Sequence, residues 1–475
     1  MKKISLFFSL SLVCFTANTF AQQFSSQVTP YIKVNAPQIA ITHVKLIDGT
    51  GNPAKADQTV IINNGKIQQV GDAKRIAVPN GAQVIDGTGK TLTPGLVMLH
   101  EHMYYTVMDG GFFNIAEMPF SFPRLYLAGG ATTIRTAGSI EPQTDLAIKR
   151  LISEGKTLGP DMDVTAPYIE EAGGYDIPAL NTVKGPEDAV ATVKFWADRG
   201  CTSFKMYVHA TKADMAAVIK EAHKRHMKVT GHIGAVTYRE AAELGIDNLE
   251  HGFMASGDFD SLKTDDKVND NDERLSLLKL DASSPKMKSL QQFMISKHVA
   301  LTSTLTVFEP YTGHEIVPGG GEEALTVEAK DLVKNRWQAA QNRDQASAEL
   351  FKKNQHWEKM YYDMGGLLVA GTDPTGAGRV VSGYSNHHEI ELLVDAGFTA
   401  EQAIKICTLN GAIYLGRQAE IGTIATGKKA DLVLTDGDIT QDIKNIRKTE
   451  LVFKNGVGFD SQKIFDSVKG HVGMN

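Results

Sequence analysis

The stretch Leu96-Val97-Met98-Leu99-His100-Glu101-His102 decides the fold. An apolar run of strand length delivers two histidines at i and i+2. On an extended segment those two share a face, so both imidazoles can reach one point while Glu101 points away. The same unit recurs along the chain. Apolar runs follow from Ala131 to Arg135, Met162 to Val164, Ser203 to Tyr207, Lys228 to Thr230, Asn248 to Leu249, Val299 to Thr302 and Leu367 to Ala370. Helical stretches lie between most of them. From Ala213 to Arg225, the residues Met215, Val218, Ile219 and Ala222 make one apolar stripe. Another helix runs from His388 to Asp395 and stops at Gly397, and a third begins at Thr399, which forms a capping box with Gln402. Eight β/α repeats predict an α/β protein, a (β/α)8 TIM barrel.

Outside that region the pattern is all strand. Ile39-Ala40-Ile41, His43 to Ile47 and Val60-Ile61-Ile62 are separated by turn signals such as Asn63-Asn64-Gly65, and Asp431 to Leu434 and Leu451 to Phe453 repeat the style at the other end. Together they predict one small β-sandwich built from both chain ends. The expected division is 1–21 leader, 22–95 and 420–475 sandwich, and 96–419 barrel. The barrel region is longer than a typical one. Its surplus lies in a polar segment from Ser256 to Ser284, read as a surface loop or partial lid, and in a charged helical segment from Glu322 to Tyr362. Gly319-Gly320-Gly321 before the latter reads as a hinge.

Lys2 and Lys3 precede an apolar run from Ile4 to Phe15 and a small-residue site at Thr19-Phe20-Ala21. This predicts a signal peptide cut after Ala21, and a periplasmic or secreted protein with no membrane attachment once it is removed. The run is too short to span a bilayer, and a lipoprotein reading is poor because Cys14 follows the bulky Val13. The net charge of −6 over 475 residues gives no basis for a nucleic-acid or membrane-surface partner. Cys201 and Cys407 read as buried free thiols.

Barrel chemistry sits where strands end. His100 and His102 close the first run, Lys205 lies within the fourth, His232 closes the fifth, His251 the sixth and Asp373 the eighth. Each alone has an ordinary explanation, such as a snorkelling lysine, a hydrogen-bonded core histidine or a capping aspartate. Successive placement on one barrel face makes a metal site the better reading.

These stretches resemble the amidohydrolase superfamily, in particular its prolidase-like and imidazolonepropionase-like branch. The matching segments are Thr93-Pro94-Gly95-Leu96 into His100-x-His102, the Lys205 strand, Gly231-His232, Glu250-His251-Gly252, Gly371-Thr372-Asp373 and the tail from Ile421 to Val433. The resemblance implies a hydrolase cleaving an amide (C–N) bond in a small substrate, such as a dipeptide, an N-acyl amino acid or a cyclic amide. It implies two divalent metal ions, with zinc suiting the donor set. One would take His100, His102 and Asp373, the other His232 and His251, bridged by a carboxylated Lys205; relatives without that bridge use one. A metal-activated hydroxide would attack the carbonyl, and Asp373 would serve as general base and then acid.

The sequence departs from the pattern once. Many prolidase-like relatives read His-x-His after the fifth strand, where this chain has His232-Ile233-Gly234. Candidate substrate contacts are Tyr104 and Tyr105, Tyr207, His209 and Arg379, the last able to pair with a carboxylate. His387 and His388 read as residues behind the site or on the surface. A ring deaminase or lactonase on the same scaffold, a non-catalytic metal-binding protein, and homo-oligomerisation stay open.

Overall fold

The computed structural model describes residues 23–473, apart from 110–111, 176, 178–179, 314, 342–344 and 376–377. The expected leader falls outside that range. Among the described residues no helix is long and apolar enough to cross a membrane.

The alternating pattern builds eight parallel strands: β1 (Leu96–Glu101), β2 (Ala131–Thr136), β3 (Thr165–Glu171), β4 (Ser203–Met206), β5 (Lys228–Gly231), β6 (Asn248–Leu249), β7 (Ala300–Ser303) and β8 (Leu368–Ala370). Each of the last seven neighbours its predecessor in space. One departure from the sequence reading lies at the third run. The expected run, Met162 to Val164, falls on Asp161–Asp163, which pairs with β2, whereas the strand that pairs with β4 is β3, which starts only after Val164. At the other seam β8 leads back to β1. The backbone N–H groups of Thr372 and Asp373 both donate to the carbonyl of His100, at 3.0 and 2.9 Å. Gly371 makes that approach feasible: a Cβ there would lie 2.3 Å from the backbone N of His100.

Helices cover the strands. In the helix Lys212–Lys224 the stripe Met215, Val218, Ile219 and Ala222 is buried, and Thr211 and Asp214 form a capping box at its start. Each such large side chain stabilises the packing by about 1.5–3 kcal/mol. Thr399 and Gln402 form the expected capping box ahead of Ala400–Lys405, after which one π-helical turn, Ile406–Asn410, leads into Gly411–Tyr414.

Both chain ends contribute to one β-rich unit. Nine strands of it form one hydrogen-bonded sheet. The ends join where Lys90–Pro94 runs antiparallel to Leu432–Asp436, with Leu92 opposite Leu434. Ile39, Ile41, Val60, Leu92, Leu432 and Phe453 share its core. Pro94-Gly95 then feeds β1 directly.

The surplus segments are largely helical, as Asp270–Lys279, Val327–Ala340 and Ala346–Asp363. Gly319, Gly320 and Gly321 have φ of 85°, 96° and 96°. They are clamped and not a free hinge, because a Cβ on Gly319 would lie 2.7 Å from the Cβ of His388. Cys201 and Cys407 are buried and unbridged.

Candidate metal centre and active site

The parallel strands place their polar termini around one cavity of about 270 Å³. Its walls include His100, His102, Lys205, His232, His251 and Asp373, side chains from β1, β4 and the ends of β5, β6 and β8. Donor atoms of His100, His251 and Asp373 lie within 4.8 Å of one another. The rings of His232 and His251 have centroids 4.4 Å apart.

Each imidazole whose outer contact is defined is held through Nδ1. His100 Nδ1 is 2.8 Å from Glu250 Oε2, His251 Nδ1 is 2.8 Å from Thr304 Oγ1, and His102 Nδ1 is 3.2 Å from the carbonyl of Gly138. A carboxylate and a carbonyl can only accept, so His100 and His102 carry their proton on Nδ1. Their Nε2 atoms face Asp373, at 3.8 and 3.1 Å respectively. This is the arrangement in which an outer hydrogen bond fixes a ligating tautomer. Glu250 is in turn fully buried and takes Arg135 Nη2 at 2.6 Å and Asn248 Nδ2 at 3.0 Å.

The electrostatics fit a cation. Burial, reinforced by the positive charge of Lys205, pushes His100 down to about 4 and His232 to about 3. His251 is pushed well below its usual range by burial and by its neighbours His232 and His100. These rings are therefore neutral at pH 7, the state a metal requires. Burial works against charge on Asp373, yet with His100, His102 and His251 around it the carboxyl lies well below its usual range and is the anionic member of the set. Burial lowers Lys205 to about 8, with Glu250 and Asp373 opposing the fall.

The predicted substrate contacts divide. Tyr207 lines the cavity, with its ring edge-on to His232 at 5.4 Å. Tyr105 does not. From Tyr104 to Thr106 alternate side chains take opposite faces, so Tyr104 and Thr106 line the cavity while the Tyr105 hydroxyl donates to the carbonyl of Gly378. Tyr104 stacks on His102 at 4.6 Å, and its hydroxyl lies 2.5 Å from that of Tyr168. His209 is set back from the cavity, bound to Glu170 through Nδ1 at 2.5 Å and through its backbone N–H at 3.0 Å. Arg379 is buried and not poised for a substrate carboxylate. It donates to the carbonyls of Ile316, Pro310 and Glu315, and so holds the segment carrying Tyr311, a cavity wall. His387 is buried, and His388 bridges Glu309 at 2.5 Å and Glu391 at 2.7 Å.

Glu250, Arg135, Thr304 and Tyr168 carry parts of the site that sequence reasoning left without a role. A signal existed for two of them. Arg135 closes an apolar run, and Glu250 directly follows another beside His251, and a buried charge at a strand end needs a partner. Glu101 points away from the cavity as expected. It accepts from Thr372 Oγ1 at 2.6 Å and Asn386 Nδ2 at 3.0 Å, and burial raises it to about 8.

Residues 316–458 match the amidohydrolase family model. Imidazolonepropionase of Idiomarina loihiensis is 34% identical over 151 residues, which is 30% of this chain and 35% of that protein. Enamidase of Eubacterium barkeri is 30% identical over 96 residues, 20% of this chain and 24% of that protein. The chain thus spans about a third or less of the length of these curated relatives. Among solved structures, a putative prolidase from Bifidobacterium longum matches with a TM-score of 0.64 and 22% identity, over 91% of this chain and 98% of that one. A Xaa-Pro dipeptidase with bound methionine in its active site matches with a TM-score of 0.66 and 20% identity, over 89% of this chain and 100% of that one. These two likenesses are of fold. Residues 316–458 thus match the amidohydrolase family, and about a third of the chain is similar to imidazolonepropionase.

Proposed function

We propose that this protein is an exported, metal-dependent hydrolase that cleaves an amide bond in a small substrate: a dipeptide, an N-acyl amino acid or a cyclic amide. We read the eight parallel strands as a (β/α)8 barrel, a reading supported by the hydrogen bonds from Thr372 and Asp373 back to His100. The observation that carries the function is the convergence of His100, His102, His232, His251, Lys205 and Asp373 on one cavity. Neutral imidazoles, a carboxylate and an amine of lowered basicity form the donor set that zinc or a similar divalent ion takes. His100, His102 and Asp373 would hold one ion. His232 and His251 would hold a second where Lys205 is carboxylated. Such ions supply an acidified water and polarise a carbonyl.

The chain's own residues do the rest. Thr375 Oγ1 steadies Asp373 Oδ1 at 3.0 Å, and His102 Nε2 lies 3.1 Å from the same oxygen. A carboxylate so placed takes the proton of the attacking water and passes it to the leaving nitrogen. Tyr207, Tyr104 and Tyr168 line the same space and offer hydroxyls to a bound amide. Ile115, Ile177 and Leu180 narrow the apolar side.

The test is a screen of purified protein lacking residues 1–21 against dipeptides, N-acyl amino acids, cyclic amides, lactones and nucleobase-like rings, with metal analysis on the same sample. Amide hydrolysis that chelation abolishes and zinc restores is the expected result. Turnover of lactones or ring amines alone would replace the amide reading. Metal binding without turnover of any class would make the protein a metal-binding one.

A further inference from the structure

A second chamber, of about 400 Å³, adjoins the metal cavity. His232, Phe308 and Tyr311 line both spaces, so only the thickness of those side chains separates them. One wall comes from the ends of β5 and β6 through Ile233, Gly234, Met254 and Ala255. The opposite wall comes from the two segments that exceed an ordinary barrel: Glu273 and Arg274 on Asp270–Lys279, and Ser347 and Leu350 on Ala346–Asp363. The lining is mostly apolar and aromatic. Among its polar groups, Arg274 Nη2 donates to Ser347 Oγ at 3.2 Å.

Gly234 belongs to this lining. Many prolidase-like sequences carry a histidine two residues after the fifth-strand ligand, and here that position has no side chain. A Cβ on Gly234 would already sit 3.0 Å from Val208 Cγ1, which lines the same chamber. The chamber wall at this position is therefore backbone packed against Val208, with no imidazole projecting from it. Small-molecule sites are concave, mostly apolar and of roughly 300–1,000 Å³. The metal cavity lies just below that range and gains the rest from its neighbour.

We propose that this chamber is the specificity subsite of the enzyme: it takes an apolar arm of the substrate, an aliphatic acyl chain or an aromatic side chain, whose amide lies in the metal cavity. The proposal rests on the hydrolase reading above. The two extra segments then have a role, as the wall that selects the arm. Phe308 is the partition. Its ring stands edge-on to His251 at 5.7 Å, so a group lying along Phe308 and Tyr311 passes from the ligands into the chamber.

The experiment compares kcat/KM for N-acetyl, N-hexanoyl and N-decanoyl forms of one amino acid on the metal-loaded wild type, Ala255→Phe and Ser347→Leu. The two substitutions fill the chamber from opposite walls, and thermal unfolding checks that each variant is folded. Each buried methylene contributes roughly fourfold, so the wild type should prefer hexanoyl over acetyl by more than about tenfold. The preference should collapse towards unity in a folded variant. A flat wild-type series, or an unchanged preference in both folded variants, overturns the subsite. Calorimetric binding of decanoate and acetate is measured on the same proteins. If no amide is hydrolysed, the hydrolase reading fails. The chamber then stands only if decanoate binds the wild type more tightly than acetate and more tightly than it binds the filled variants.

Discussion

Replacing Glu250 with glutamine tests whether the site works through the orientation of His100. Glu250 is fully buried, with Oε2 2.8 Å from His100 Nδ1 and Oε1 2.6 Å from Arg135 Nη2. A glutamine keeps the shape and loses both the charge and one acceptor. If its NH₂ faces His100, Nδ1 must accept, and the ring proton moves to Nε2, the nitrogen turned towards Asp373. If its oxygen faces His100 instead, NH₂ meets the guanidinium and two donors oppose each other. Neither orientation satisfies the network. Loss of such an outer partner lowers metal affinity or activity by about 10–100-fold, or roughly 1.4–2.7 kcal/mol. Arg135 is as buried as Glu250, and removing one partner of a buried pair costs about 3–5 kcal/mol of fold stability. The two effects are separable: metal affinity by competition with a chromophoric chelator, and stability by urea unfolding of metal-free protein. Wild-type metal affinity in folded Glu250→Gln would refute the orientation argument, even if the variant were less stable.

Lys205→Ala should lose most of one equivalent of metal and most activity, with partial recovery of activity in added formate or acetate; full metal content by elemental analysis would remove Lys205 from the ligand set. Asp373→Asn should retain much of its metal while kcat falls by about 10²–10⁴-fold, and near-normal turnover would take the proton transfer away from Asp373. The bridge from His388 to Glu309 and Glu391 predicts a pH effect on stability. Burial lowers His388, but hydrogen bonds to the two carboxylates outweigh it and raise the ring to about 9 from 6.5. A raised folded value stabilises fully below the unfolded value, so the contribution is complete below pH 6.5 and fades as pH climbs through about 9. It amounts to up to about 3 kcal/mol. The difference in unfolding free energy between wild type and His388→Gln should shrink over that window, and a difference constant from pH 6 to 10 would disprove the assignment.

The strand ends were the legible part of this sequence, because a polar side chain that terminates an apolar run must face something other than lipid-like core. His100, His232, His251 and Asp373 announce themselves that way, and the structure brings them to one cavity. Tyr105 was misplaced although the alternation shows where it goes: His100, His102, Tyr104 and Thr106 all line the cavity, which turns Tyr105 away. Arg379 looked available because nothing local pairs it, while its acceptors are carbonyls more than sixty residues upstream. Glu250 is the opposite case. Its partner His100 is 150 residues away, and only the ring of strands brings the two within 2.8 Å. The break at Val164 and the continuity of the nine-stranded sheet have no local signature, since both arise from how neighbouring strands twist and pair.

Charge balance around the cavity ties the state of Lys205 to the number of ions. Four buried groups carry charge there: Arg135 and Lys205 are positive, Glu250 and Asp373 negative, and they cancel. Three of these cannot adjust. Glu250 and Asp373 are already held ionised, and Arg135 is tied to Glu250 at 2.6 Å. Lys205, lowered to about 8 by burial, is the group that can change. A divalent ion beside it favours loss of its proton, which turns a repulsive neighbour into a neutral one. The amine so released is the form that can take up carbon dioxide and become an anionic ligand. A lysine that stays an ammonium therefore opposes a second cation between His232 and His251. A carbamate at the same position compensates one. Metal stoichiometry and Lys205 chemistry should thus rise together as pH and carbon dioxide are raised, and neither should be found without the other.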